Sequence, residues 1–182
     1  DEWANAMALK FGFKLSRKPE QKSWSVGIDI DNAWKYRGKA SWKIFAGFFR
    51  DFLILRMKKW VQRLFYLTGS SKDPYDVYSD IKQWNFEYNR LIYFVLAGKT
   101  NKYDGPVYST LEQFDTLIKT LSEQHLVGVH PSYDYLESNE LLKAQINKLA
   151  SITRSKIISN RFHYLRLKLP DSYRFLEGAG IE

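Results

Sequence analysis

Apolar and polar positions along the chain change period repeatedly, which predicts strands and helices in alternation. Short apolar runs bounded by polar residues predict strands at 24–30, 91–98, 126–130 and 156–160. Apolar residues at three- and four-residue steps predict helices over 41–66 with one break allowed, over about 75–88, from Thr110, after the capping residue Ser138 and over 171–178. This order predicts an α/β fold of parallel β/α units, either an open sheet or the first part of a β/α barrel.

Length and composition are those of one globular domain. The 182 residues suffice for one buried core and are too few for two full-sized domains. We expect residues 1–23 to be a lead-in and 24–182 to be the domain, with both ends cut from a longer chain. Aromatic residues make up 16% of the chain. That share is typical of carbohydrate-binding or base-stacking surfaces, although core packing is the commonest role of an aromatic residue.

Charge and cysteine content narrow the chemistry. The net charge of +8 attracts anionic polymers and membranes without choosing among them. The absence of cysteine excludes disulfides, thiolate metal sites and cysteine nucleophiles, so any metal must be held by His and carboxylate ligands. No apolar run is long enough for a transmembrane segment, and the first residues lack the order of a signal peptide. The compartment stays open between cytoplasm and cell envelope.

Polar residues follow three of the predicted strands at their carboxyl ends. Asp29 and Asp31 end the first strand, and we expect them to converge because side chains two apart on a strand face the same side. One such carboxylate can hold a metal while the other accepts a proton from water. His130 ends the third strand, with Asp134 four residues later, and imidazole is a good zinc ligand. Arg161 follows the fourth strand, where a guanidinium can orient a carboxylate.

Each of these residues also has a structural interpretation. An aspartate after a strand can cap the next helix, a lone histidine is usually a hydrogen-bonding residue, and an arginine is usually a solvated surface cation. Their shared position at one edge of the predicted sheet is what favours a functional site.

The order of these segments resembles the polysaccharide-deacetylase family, also called the NodB-homology or carbohydrate esterase family four type. The resemblance runs from about residue 24 to the end and rests on DIDNAWKYRGK, DPYDVY, VGVHPSY and NRFHYLRLKLPDSYRFLEGAGIE, as in a divergent bacterial branch. It implies an incomplete (β/α) barrel that removes acetyl groups from N-acetylated polysaccharide with a divalent metal, often zinc.

The resemblance also implies roles for residues of this chain. The family's first motif pairs a base with a metal-ligand aspartate and maps to 29–32, which makes Asp29 and Asp31 catalytic candidates and Asp31 a metal ligand. The second motif supplies metal histidines and maps to His130. The third supplies an arginine that steadies the base and maps to Arg161.

The chain departs from the family pattern in two places. Asp134 stands where the second histidine of H-x-x-x-H is expected, so we assign Asp134 as a metal ligand. Asn32 stands where an adjacent aspartate is expected. Either Asp29 takes over one of the metal-binding roles, or the metal site is weak or absent. The family's late motifs would lie beyond Glu182, so this chain alone is a candidate for an inactive fragment.

Substrate and partners follow from the same resemblance. We expect an N-acetylated glycan substrate, with Trp34, Tyr36, Tyr133 and His163 beside it. One alternative is a relative that binds sugar without catalysis, and another is a module whose basic, aromatic helix at 41–66 binds an anionic surface. No specific nucleic acid is expected, and the open sheet edge is expected to allow self-association.

Overall fold

The computed structural model shows an α/β fold built on a three-stranded parallel sheet. It describes residues 2–12, 24–83, 90–105 and 111–181. The strands are β1 (Ser25–Ile30), β2 (Arg90–Val95) and β3 (Leu126–Val129), in the order β1-β2-β3. Ile30 pairs with Val95, and Val95 pairs with Val129. The carboxyl ends of all three strands therefore lie side by side.

The fourth predicted strand, at 156–160, is reduced to a single bridge. Asn160 pairs in parallel with Val129. The Val129 N–H donates to the Ser159 carbonyl at 2.9 Å, and the Arg161 N–H donates to the Val129 carbonyl at 3.1 Å. This short pairing is enough to bring Arg161 to the edge where the three strands end.

Seven α-helices are described, at Glu2–Lys10 (α1), Ser41–Leu53 (α2), Met57–Leu67 (α3), Tyr78–Lys82 (α4), Glu112–Ser122 (α5), Asn139–Thr153 (α6) and Asp171–Gly178 (α7), together with short 3₁₀ helices at Tyr133–Glu137 and His163–Leu165. The helix predicted over 41–66 is divided into α2 and α3 at 54–56. The stretch predicted at 75–88 is the short α4, and its continuation over 84–88 lies outside the described residues, as does Thr110. Helix α6 begins as predicted, because the Ser138 hydroxyl accepts the Glu140 N–H at 3.1 Å.

The core lies between the sheet and helices α5 and α6. Tyr93 and Val95 of β2 are fully buried there. The helices contribute apolar residues at three- and four-residue steps, namely Phe114, Ile118, Leu121, Leu142, Ile146 and Leu149. This burial of apolar surface is the main source of stability, as in other domains of this size.

Helices α2 and α3 form a hairpin that packs on itself and, among the described elements, makes no extensive contact with a strand. The Phe48 and Trp60 rings lie 5.1 Å apart between centroids. Fully buried Asp51 pairs with Arg63 across the hairpin at 2.8 Å. Burial acts to raise the pKa of Asp51, but the hydrogen bond and charge of Arg63 outweigh it and hold that pKa below its ordinary value.

A buried carboxylate joins the hairpin to the end of β1. Asp73 accepts the backbone N–H groups of Lys35, Tyr36, Arg37 and Tyr75 at 2.7–3.0 Å. Burial acts to raise the pKa of Asp73, but these hydrogen bonds to the ionised form lower it below the ordinary value. Among all the described helices, none has the length and apolar character needed to cross a membrane.

Candidate metal centre at the strand ends

Three metal-ligating side chains meet where β1, β3 and the 160–163 segment end. They are Asp31, His130 and His163, and one ligand atom from each lies within 4.8 Å of the other two. His130 Nε2 is 3.2 Å and His163 Nε2 is 3.9 Å from Asp31 Oδ1. Two of the three residues, Asp31 and His130, were predicted as metal ligands.

The main chain orients the His130 ring. Its Nδ1 lies 2.5 Å from the carbonyl oxygen of Arg161. A carbonyl oxygen only accepts hydrogen bonds, so the hydrogen-bond network assigns the proton to Nδ1. In the neutral ring the Nε2 lone pair then points at Asp31 Oδ1. His130 is only 3% exposed, and this burial keeps the ring in this orientation.

A buried carboxylate orients the His163 ring in the same way. Its Nδ1 lies 2.7 Å from Asp104 Oδ1, and Asp104 is completely buried. The other oxygen of Asp104 accepts the Tyr133 N–H at 2.8 Å and the Asn101 side-chain amide at 2.5 Å. These hydrogen bonds fix the carboxylate independently of His163. In the neutral ring the His163 Nε2 lone pair then faces Asp31.

A cation would satisfy the acceptor atoms that meet here. Asp31 Oδ1 is buried and, among the described residues, has no hydrogen-bond partner, while the Nε2 atoms of His130 and His163 lie 3.2 and 3.9 Å from it. A proton on His130 is one such cation. The hydrogen bond that it then donates lowers the pKa of Asp31 against the opposing effect of burial, with help from the charges of both histidines.

A divalent metal ion fits the same position. Two neutral imidazoles and one carboxylate form the donor set of many catalytic zinc sites, in which a fourth position stays open for water or substrate. The partner that each histidine has on Nδ1 is the usual outer support of a zinc-binding histidine. The structure thus contains a candidate metal-binding triad, and the donors do not determine which ion it prefers.

The two aspartates of β1 have different partners. Arg161 Nη1 lies 3.0 Å from Asp29 Oδ1 and 3.2 Å from the Gly27 carbonyl, and its guanidinium carbon lies 4.5 Å from the centroid of the Phe94 ring. A Cβ on Gly27 would collide with this guanidinium, so the glycine makes room for it. Arg161 thus orients Asp29 with its side chain and His130 with its carbonyl.

Asp134, predicted as a metal ligand, lies outside the described donor group. It is in the 3₁₀ turn at Tyr133–Glu137 and accepts a hydrogen bond from the Ser132 hydroxyl. Gln145 of α6 holds the same loop, since its amide accepts the Ser132 N–H at 3.0 Å and donates to the Ser132 hydroxyl at 2.7 Å. The third position of the triad is occupied instead by His163, which we had predicted to contact substrate.

The predicted stacking residues differ in exposure. Trp34 and Tyr36 are each 2% exposed, so their ring faces are covered by protein and are not available to a sugar. We correct their assignment for this reason. Tyr133 is partly exposed and stacks on Tyr103 at 3.9 Å between centroids, with the Arg166 guanidinium 4.0 Å from its ring.

Asp104 and the role of His163 were missed by sequence reasoning. Asp104 belongs to a polar loop after β2, and its spacing in the chain gave no signal of chemistry. A local signal did exist, since the loop lies at the carboxyl end of a buried strand, where ligand-binding residues of β/α folds concentrate. His163 lies two residues after Arg161, at the same edge.

No family model matches the sequence, and no curated protein or solved structure matches it. The resemblance to polysaccharide deacetylases therefore stays a prediction. The geometry of the site is what indicates a function.

Proposed function

We propose that this domain is a metal-dependent hydrolase that removes acetyl groups from an N-acetylated polysaccharide. The observation that carries the proposal is the convergence of His130 Nε2 and His163 Nε2 on the buried Oδ1 of Asp31. The acceptor that each imidazole has at Nδ1 favours the tautomer that leaves Nε2 free for a metal, which a purely structural histidine pair does not require.

Each charged residue of the site has a distinct task in this proposal. Asp31, His130 and His163 would hold a divalent ion, which when bound supplies a Lewis acid for the acetyl carbonyl and lowers the pKa of water. Asp29 is the candidate base, and Arg161 orients its carboxylate through the 3.0 Å contact. Asp104 positions His163 and does not contact the reacting atoms.

The sheet topology supports the deacetylase type of fold. The order β1-β2-β3, followed by the bridge at Asn160, places consecutive strands side by side, as a β/α barrel requires. In such barrels the active site is at the carboxyl ends of the strands, where this candidate centre lies. We therefore propose that these strands belong to an incomplete β/α barrel.

Exposed tyrosines beside the centre support a sugar substrate. Tyr164 is 62% and Tyr103 is 47% exposed, and the Tyr164 ring lies 4.2 Å from the His163 ring between centroids. The Tyr164 hydroxyl donates to the Tyr103 carbonyl at 3.0 Å, which joins the two residues into one surface. Aromatic faces of this kind stack on the apolar faces of sugar rings. We propose Tyr103 and Tyr164 as this platform, in place of Trp34 and Tyr36.

Metal content and hydrolysis test the proposal together. Purified protein should contain or take up about one zinc per chain, and it should release acetate from N-acetylated glucosamine oligomers until a chelator is added. His130→Ala and His163→Ala should lose both properties. His125→Ala is the matched control and should keep them, because His125 precedes β3 at the opposite end of the strand. Retention of both properties by the His130 and His163 variants would exclude this site.

A sugar-binding role without catalysis is the second candidate, and the exposed Tyr103 and Tyr164 favour it. It predicts oligosaccharide binding that a chelator does not change and that Tyr164→Ala weakens. Isothermal titration with and without chelator measures the binding, and an acetate assay on the same protein separates the two functions, because only the hydrolase releases acetate in a metal-dependent way.

A further inference from the structure

The α2–α3 hairpin presents an uncovered apolar stripe. Trp42, Phe45, Phe49 and Phe52 recur at three- and four-residue steps along α2, and each is between 51% and 67% exposed. Phe48 and the buried Asp51 contact α3 from another side of α2, and within the stripe Phe52 also lies near α3, with its ring 5.7 Å from the Trp60 ring. From its first to its last ring the stripe rises by about 15 Å along the helix. More than half of each of these four side chains therefore remains exposed on the hairpin.

The tip of the hairpin continues this apolar surface. Leu53, Ile54 and Leu55 are 77%, 50% and 79% exposed. Leu55 also has a φ of 54°, in the left-handed region that a residue with a Cβ rarely adopts. A leucine at this position is unfavourable in water in two ways, through its backbone and through its exposed side chain. An apolar environment around the tip would remove the second cost.

Basic residues surround the apolar surface. The segment 39–67 contains seven Lys and Arg residues and one acidic residue, Asp51, which is buried and paired with Arg63. Arg56, Lys58 and Lys59 follow the apolar tip directly and are exposed. An open cleft of about 390 Å³ beside the stripe is lined by three more exposed cations, Lys39, Lys43 and Arg50.

We infer that the hairpin docks on an anionic phospholipid bilayer, with its apolar tip and stripe inserted and its cations against the headgroup phosphates. A bilayer offers apolar chains and negative charge at adjacent depths, which matches this surface. A nucleic acid would neutralise the cations and leave Leu53 and Leu55 in water. The core of a protein interface is depleted of charged residues, whereas here cations border the apolar side chains closely. The inference does not depend on the metal centre.

Co-sedimentation of the full chain with lipid vesicles tests the inference. Vesicles of phosphatidylcholine in which about a third of the lipid is phosphatidylserine should bind the protein, and pure phosphatidylcholine vesicles should bind it at least tenfold more weakly. Binding to the anionic vesicles should fall steeply as salt is added, because screening weakens the headgroup contacts.

Two variants address the two parts of the surface. Leu53→Ser/Leu55→Asn removes apolar side chains from the tip, and Asn tolerates the left-handed backbone, so the fold is preserved. Lys58→Glu/Lys59→Glu reverses charge. Each variant should weaken binding to the anionic vesicles at least tenfold. For Lys58→Glu/Lys59→Glu this follows because a single cation near such a surface contributes roughly fivefold.

Matched controls separate docking from general effects. Leu165→Asn replaces another exposed leucine with positive φ, outside the hairpin, and Lys119→Glu/Lys143→Glu makes the same charge change on α5 and α6. Both controls should bind the vesicles as the unchanged protein does. Absence of binding at low salt, or equal losses in hairpin and control variants, would overturn the inference. So would a dimer that Leu53→Ser/Leu55→Asn converts to monomer in light scattering, because a second copy would then be the occupant.

Discussion

Replacing Asp104 by Asn tests the metal centre through a residue that does not bind the metal. In one orientation the new amide would keep its oxygen toward the Tyr133 N–H and the Asn101 amide, which Asp104 now accepts at 2.8 and 2.5 Å. The opposite orientation would place an NH₂ group against these two donors, so the first is favoured. Its NH₂ group then faces Nδ1 of His163. That nitrogen must become an acceptor, and the ring proton must move to Nε2.

The size of the effect follows from this change of tautomer. Loss of an outer partner of a metal-binding histidine typically lowers metal affinity 10–100-fold. We expect the upper end for Asp104→Asn, about 100-fold or about 2.7 kcal/mol, because the proton would occupy the lone pair that His163 offers to the metal. The shape and volume of the side chain are nearly unchanged, so packing does not account for such a loss.

Two measurements check the result. Competition with a chromophoric chelator gives the zinc affinity, and long-range proton–nitrogen NMR of the metal-free protein identifies the protonated ring nitrogen. Asp134→Asn is the control and should leave both unchanged, since Asp134 contacts Ser132 and no described histidine. An unchanged zinc affinity in Asp104→Asn, or a proton that stays on Nδ1 of His163, would refute the reasoning. A loss of affinity in Asp134→Asn instead would restore the sequence-based assignment of Asp134 as a ligand.

Three further predictions concern the fold. Arg63→Met should lower the free energy of unfolding by about 3 kcal/mol in urea denaturation, because buried Asp51 would keep only its 3.5 Å contact with the exposed Arg50, and the Asp51→Leu/Arg63→Met double variant should recover most of the loss. Asp73→Asn should cost about 3 kcal/mol at neutral pH. Folding lowers the pKa of Asp73, so the stability difference between the Asp73→Asn variant and the unchanged protein should be full above about pH 3.8 and should shrink as the pH falls through the lowered pKa. A stability difference that does not change with pH would show that the Asp73 carboxylate is not what stabilises the fold here. Gly128→Ala should lower the free energy of unfolding by about 1–3 kcal/mol and lower the melting temperature, because the new Cβ would meet aromatic and backbone atoms at 2.8 Å. Gly178→Ala is the control, and its melting temperature should not fall in this way because the space around Gly178 is open.

Local sequence patterns were sufficient for most of the secondary structure. The strands at Ser25–Ile30, Arg90–Val95 and Leu126–Val129 each begin within one residue of the predicted position, and the helix after Ser138 begins as predicted. Such elements bury one face or one short run, and the repeat of apolar positions records that burial directly. The division of the 41–66 helix at Leu55 was less visible, because the apolar period continues across it.

The candidate site was predictable in its location and only partly in its members. Asp31, His130 and Arg161 could be chosen because each follows a strand, and parallel strands bring their carboxyl ends to one edge. Trp34 and Tyr36 occupy the same region of the sequence, but the hairpin and the core bury them. Exposure depends on what packs above a residue, and a local pattern does not contain that information.

Sequence alone therefore determined the alternation of strands and helices, the sheet edge at which a site would lie, and the need for His and carboxylate ligands in a chain without cysteine. Only the tertiary structure decided that Asp104 meets His163 across 59 positions and that both histidines direct Nε2 at Asp31. The physical reason is the range of the interactions. Periodicity reflects contacts within one element, whereas a hydrogen bond between two distant loops depends on how the whole sheet places them.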